Sequence, residues 1–166
     1  MPTRIRLQDG RYVAADDPFT AVGDEREIPP GDVIISLARF QEHGDRLLSE
    51  GRKVGVRLES DEQVEALAYD LPRLSVVALA FPKFGDGRAY SSARLLRERY
   101  GFKGEVRAVG DVLREQAGYM ARCGFDAFEP ADGSTPDVWE RAAHRYRHVY
   151  QRGVDQRPPA FVEREQ

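Results

Sequence analysis

Between residues 32 and 129 the chain alternates short strand-like runs with segments of helical spacing, and short loops join them. The predicted strands are Asp32–Leu37, Lys53–Glu59, Leu74–Phe81, Gly104–Gly110 and Phe125–Glu129. Apolar residues at helical spacing follow each of the first four strands, and Thr135-Pro136 predicts the start of a last helix. Strands that alternate with helices in this way indicate βαβ units, so we predict an α/β fold with about five mostly parallel strands.

The second and fourth predicted strands have one apolar and one charged face. Val54, Val56 and Leu58 alternate with Gly55, Arg57 and Glu59, and Val106 and Ala108 alternate with Glu105 and Arg107. A doubly wound sheet normally has near-continuous apolar strands because helices cover both of its faces. We therefore predict a partial (β/α)-barrel or curved sheet, whose open face is covered by an N-terminal hairpin or by a second subunit of a homo-oligomer. A flavodoxin-like open sheet is the alternative.

The first residues of the chain predict a β-hairpin. Two alternating runs flank Asp9-Gly10, a dipeptide that accepts the positive φ angles of a tight turn. We expect a single α/β domain over residues 1–153, with the hairpin and a polar lead-in in residues 1–31. Residues 154–166 contain Pro158-Pro159 and are expected to form an extended tail.

Charge and hydropathy narrow the classes of function. The net charge is −3, from 25 Lys+Arg against 28 Asp+Glu, which argues against a dedicated nucleic-acid binder. No run approaches the roughly 18 apolar residues that a membrane span needs, and the N-terminus lacks the apolar core of a signal peptide. We therefore expect a cytoplasmic protein that binds neither nucleic acid nor membrane.

Few residues are available for metal or redox chemistry. The single cysteine, Cys123, cannot form a CxxC pair. His144 and His148 stand at i, i+4, but no third ligand is evident near them, so we predict no metal site. The glycines of residues 85–87 match neither the dinucleotide-binding nor the P-loop pattern, and we expect no cofactor.

The stretch FPKFGDGRAYSSARLL leaves the most apolar predicted strand through a charged turn that contains glycine. In parallel α/β architectures, ligands bind beyond the carboxyl ends of the strands, where helix N-termini also favour anions. The predicted anion-binding residues are Arg39, Arg57, Lys83, Gly87, Arg88 and Arg107. Asp86 and Asp111 are the candidates for proton transfer, although acidic residues in such loops also cap helices. The alternative is a structural charge network formed by the same arginines.

The segment FPKFGDGRAYSSARLLRERYGFKGEVRAVGDVLREQAGYMARCGFDAFE resembles a bacterial family labelled as a domain of unknown function. VIISLARF and VGVRL extend the resemblance toward the N-terminus. Members are typically encoded beside sulfite reductase in sulfate-assimilation gene clusters, and are sometimes labelled oxidoreductases of sulfite reduction. The resemblance implies a role in reducing sulfite to sulfide, with sulfite reductase as the partner.

The chain carries no recognisable flavin, nicotinamide, iron–sulfur or sirohaem fingerprint. Protein side chains alone do not carry out multi-electron chemistry, so we expect an accessory protein that acts with sulfite reductase and binds an anion. A small barrel-like enzyme that acts on an anionic metabolite is the first alternative. An oxidoreductase with an unrecognised cofactor is the second.

Overall fold

The computed structural model describes residues 3–83 and 86–144. Within these residues there are eight strands, β1 (Thr3–Gln8), β2 (Arg11–Asp16), β3 (Thr20–Ala21), β4 (Val33–Ser36), β5 (Val54–Leu58), β6 (Val76–Phe81), β7 (Glu105–Gly110) and β8 (Ala127–Phe128). The same residues contain four α-helices, α1 (Leu37–Ser49), α2 (Arg88–Arg94), α3 (Ala117–Cys123) and α4 (Pro136–Ala143). The strands form one sheet in the order β2-β1-β8-β7-β6-β5-β4-β3, which curls into a half-barrel.

The curved α/β sheet is confirmed, but the prediction of about five mostly parallel strands is wrong. The described sheet has eight strands and is mixed, because β1 pairs antiparallel with both β2 and β8. The sequence predicts the hairpin or a second subunit as the cover of the open face, whereas the hairpin extends the sheet beside β8. The two-residue strand β3 is too short to show any period in the sequence.

Strands β4 to β8 lie in the sheet in the same order as in the chain. Successive right-handed crossovers in one direction place all the connecting segments on one face. The main hydrophobic core lies there, and it joins strand residues such as Val56 and Leu79 to Leu47 of α1, Met120 of α3 and Trp139 of α4. A flavodoxin-like sheet reverses its strand order and has helices on both faces, so that alternative is wrong.

The local sequence pattern predicts the hairpin turn correctly, but the helix that it predicts after β5 is wrong. Asp9 and Gly10 have φ angles of 52° and 79°, the positive values that the tight turn requires. The predicted helix after β5 is instead two 3₁₀ turns, Val64–Leu67 and Leu71–Arg73. Pro72 lies within the second turn, and proline lacks the backbone N–H that an α-helix interior needs.

The face of the sheet opposite the helices, the helix-free face, carries both apolar and charged side chains. Its apolar cluster consists of Phe19, Ile34, Val76, Ala78, Ala80 and Val109. Glu105 and Arg107 are buried beside this cluster, while Val106 and Ala108 of the same strand lie in the main core. The two-faced pattern predicted for β7 is therefore present in the fold.

No helix in residues 3–83 and 86–144 is long and apolar enough to cross a membrane. The predicted tail and His148 lie outside the described residues.

Candidate functional site

The carboxyl ends of β4 to β8 lie along one side of the half-barrel, which we call the carboxyl edge. The parallel register of these strands sets this arrangement. The turn after β6, the central strand of the parallel set, contains Lys83, Asp86, Gly87 and Arg88. Half of the predicted anion-binding residues therefore come from this single turn.

Asp86 and Arg88 form a bidentate ion pair in this turn. Arg88 Nε donates to Asp86 Oδ1 at 3.1 Å, and Nη2 donates to Oδ2 at 2.8 Å. The Arg88 backbone N–H also donates to Oδ1, at 3.2 Å. These bonds hold the pKa of Asp86 down at about 2. A carboxylate with so low a pKa is a weak base at neutral pH, so in this geometry Asp86 orients Arg88 and is poorly suited to move a proton.

The Arg88 guanidinium is both oriented and accessible. Its Nη2 makes a further bond to Ser60 Oγ at 2.9 Å, which fixes the group between two loops. The side chain is 61% exposed, and Nη1 has no hydrogen-bond partner among the described residues. A guanidinium held at Nε and Nη2 can offer the two N–H groups of Nη1 to an oxyanion.

Lys83 and Gly87 are the neighbours of this pair. Lys83 is exposed, and its carbonyl accepts the Asp86 backbone N–H at 3.0 Å, which ties it into the same turn. Gly87 is also exposed, and its φ of −95° is one that other residues adopt. A Cβ at this position would meet only Tyr90 Cδ2, at an ordinary contact distance of 3.7 Å. Gly87 therefore leaves space beside Arg88 but is not required by the backbone.

Arg39 and Arg57 also lie near the carboxyl edge, each with partners of its own. Arg39, in the first turn of α1, donates to the carbonyls of Gly23 and Arg26 at 3.0 and 2.7 Å. These bonds fasten the lead-in to the helix. Arg57 Nε donates to Glu59 Oε1 at 2.9 Å, and about half of each side chain is exposed.

Asp111 follows β7 at the point where the chain crosses the end of β6. Its backbone N–H donates to the Phe81 carbonyl at 2.7 Å, so it lies beside the start of the Lys83–Arg88 turn. The preceding residue, Gly110, has a φ of 91°, and a Cβ there would lie 2.5 Å from the Phe81 oxygen. Asp111 does not cap a helix, because the next helical turn begins at Arg114.

Arg107 lies away from this turn, in a buried charge network on the helix-free face. Its Nε donates to Glu105 Oε2 at 2.7 Å, and its two terminal nitrogens donate to Asp17 at 2.7 and 3.1 Å. Nη1 also lies 3.2 Å from Glu129 Oε2. Burial alone would lower the pKa of Arg107, but Asp17 and Glu105 outweigh it and raise the pKa above its usual range. Arg107 therefore has the geometry of the structural charge network, which is the alternative to an anion site in the sequence analysis.

Two further arginines of this network are not among the site residues that the sequence predicts. Arg4 and Arg6 on β1 both donate to Glu105 Oε1, at 2.9 and 2.8 Å. The alternation of Arg4 and Arg6 with Ile5 and Leu7 is the signal that could have placed them on a polar face. No sequence pattern predicts that Asp17 joins this network, because Asp17 lies in the irregular lead-in.

Residues 55–161 match the model of a family described as "Bacterial protein of unknown function (DUF934)". The chain belongs to this family. The family match includes the Lys83–Arg88 turn, Asp111 and Arg107, whereas Arg4 and Asp17 come from the segment before it. No curated protein matches the sequence.

Proposed function

We propose that this family member is an accessory protein of assimilatory sulfite reduction, which acts with sulfite reductase and binds an anion at the carboxyl edge. The observation that carries the anion-binding part is the Arg88 guanidinium, which is held by Asp86 and Ser60 and leaves Nη1 accessible. The resemblance to proteins encoded beside sulfite reductase supports the pathway.

The chemistry of sulfite fits such a group. Sulfite is a small oxyanion whose oxygens accept hydrogen bonds, and two donors from one guanidinium nitrogen can bind it with defined orientation. Lys83 adds a second cation to the same turn, as a point charge on a flexible stem. Because Asp86 is engaged with Arg88, this site is suited to binding or presenting the anion, and the reduction itself would take place on the reductase.

Growth on defined sulfur sources tests the pathway. A deletion strain should fail on sulfate and on sulfite, and sulfide or cysteine should restore its growth. The wild-type gene should complement the strain, whereas Arg88→Ala should not. Arg73→Ala is the matched control, because it also removes an exposed arginine paired with nearby carboxylates, Asp45 and Asp70, but lies just before β6 and away from the carboxyl edge. Normal growth of the deletion strain on every source would contradict the proposal.

Association with the reductase tests the accessory role directly. Tagged protein should copurify with sulfite reductase from its own cells, and adding it should change the turnover of the purified enzyme. If the two proteins neither associate nor alter each other's activity, the accessory role has no basis. A visible absorbance band in the purified protein would instead favour an oxidoreductase with its own cofactor.

The second candidate is a small barrel-like enzyme that acts on an anionic metabolite. Asp111 favours it, because its backbone is bonded to the end of β6 beside the turn that carries Arg88. In that case Asp111 would move a proton while Arg88 binds the substrate. Asp111→Ala should then abolish complementation in a protein that still folds, and full complementation would exclude the candidate.

A further inference from the structure

A cavity of about 290 Å³ lies at the opposite side of the half-barrel, where β5 to β8 begin. We call this side the amino edge. Its walls carry four cations, Arg4, Arg6, Lys53 and Lys103, and two carboxylates, Glu105 and Asp126. Helix N-termini carry partial positive charge, and in a half-barrel the helices that follow the strands begin at the carboxyl edge. Positive charge at the amino edge must therefore come from side chains.

The two carboxylates of the cavity are neutralised by arginines. Glu105 accepts from Arg4, Arg6 and Arg107 at 2.7 to 2.9 Å, and Asp126 lies 3.4 Å from both Arg6 and Arg97. The connected network contains four arginines, Arg4, Arg6, Arg97 and Arg107, and four carboxylates, Asp17, Glu105, Asp126 and Glu129. Its charges balance.

The two lysines of the cavity do not belong to this network. Lys53 and Lys103 are exposed at the starts of β5 and β7, and neither forms a salt bridge with a described carboxylate. Arg6 lines the same cavity, and its side chain is 26% exposed. A dianion that enters the cavity can neutralise the charge of both lysines.

We propose that the amino-edge cavity binds a small doubly charged oxyanion of the sulfate or phosphate type. The two lysines attract the dianion, and the arginines of the wall fix the geometry of its surroundings. Phe19 and Val76 form an apolar part of the wall, which limits the space open to water. This site is separate from Arg88 and does not depend on the sulfite role.

Calorimetric titration of the whole protein with sodium sulfate and with sodium phosphate, at an ionic strength held constant with sodium chloride, tests the site. At least one of the two anions should bind with a stoichiometry of one. The double variant Lys53→Gln/Lys103→Gln should bind it at least about tenfold more weakly, because it lacks both lysine charges. Both side chains are exposed, so the variant should keep the urea midpoint of the wild type.

The chain offers an internal control, because Lys83 is its only other lysine. Acetylation followed by mass spectrometry should show that the bound anion slows the modification of Lys53 and Lys103 but not of Lys83. An affinity that is lost in Lys83→Gln or Arg88→Ala and kept in the double variant would place the anion at the carboxyl edge and overturn this site. The absence of binding by both anions would overturn it as well.

Discussion

Arg107 donates hydrogen bonds to both carboxylate oxygens of Asp17, at 2.7 and 3.1 Å, although 90 residues separate the two in the chain. This pair fastens the lead-in segment to β7 on the helix-free face. The Phe19 backbone N–H donates to the same carboxylate at 3.2 Å, and the Arg107 guanidinium lies 6.0 Å from the centre of the Phe19 ring. Asp17 therefore connects the charge network to the apolar cluster of this face.

Replacing Asp17 should destabilise the whole domain. Asp17→Ala removes two hydrogen bonds from Arg107, whose side chain is 1% exposed, and the loss of one partner of a buried ion pair typically costs about 3–5 kcal/mol. We expect a corresponding decrease in the free energy of unfolding, measured by urea denaturation. The control is Glu59→Ala, which breaks the exposed pair with Arg57 and should cost less than about 1 kcal/mol. Equal effects of the two variants would mean that Glu105 and Glu129 alone compensate the buried charge of Arg107.

Gly110 should be among the glycines least tolerant of substitution. Gly110→Ala places a Cβ 2.5 Å from the Phe81 carbonyl oxygen and forces a side chain into a φ of 91°. Backbone strain of this kind costs about 1–3 kcal/mol, and the overlap with Phe81 adds to it. The measurement is the urea unfolding curve, with Gly23→Ala as the control because a Cβ at Gly23 meets nothing within 4 Å. A Gly110→Ala protein as stable as the control would show that the ends of β6 and β7 can shift apart.

The curved sheet could be predicted because the residue pattern within single strands indicates it. Apolar and charged residues alternate along β5 and β7, and this period of two distinguishes a sheet with helices on one face from a sheet covered on both. The strand β3 could not be predicted, since Thr20 and Ala21 have no period of their own and pair only because β4 lies beside them. Likewise, the apolar spacing after β5 favours a helix, but the segment forms two 3₁₀ turns, and Pro72 in the second lacks the backbone N–H of an α-helix interior.

In the candidate site, too, local sequence predicts some of the arrangement and not the rest. Lys83, Asp86 and Arg88 share a turn because they are neighbours in sequence, so the motif alone predicts their proximity. Arg107 was assigned to the same anion site, but its partners Asp17 and Glu129 are distant in sequence and no local pattern indicates such pairings. Charge pairing across the helix-free face is decided by the tertiary fold.

Cys123 should be inert in the folded protein. It is fully buried, and this burial raises the pKa of its thiol even though Arg94 and Tyr119 favour the thiolate. At pH 8 we expect the native protein to react with a thiol-specific reagent at least about tenfold more slowly than the same protein unfolded in urea. Rapid labelling of the native protein would contradict the buried position and would favour a redox role for this residue.

The titration of Asp86 tests whether Arg88 is held in solution as the structure describes. The pKa of Asp86 is about 2, below its ordinary 3.8, so the contribution of the pair is present above about pH 4 and is lost as the pH falls through 2. Carboxyl carbon chemical shifts followed by NMR should show a midpoint near 2 in the wild type, and Arg88→Ala should raise it toward 3.8. Asp132 is the internal control, because its pKa is lowered by Ser134 and should not respond to that change. If Asp86 titrates near its ordinary value in the wild type, Arg88 is not oriented, and the proposed anion site at the carboxyl edge loses its main support.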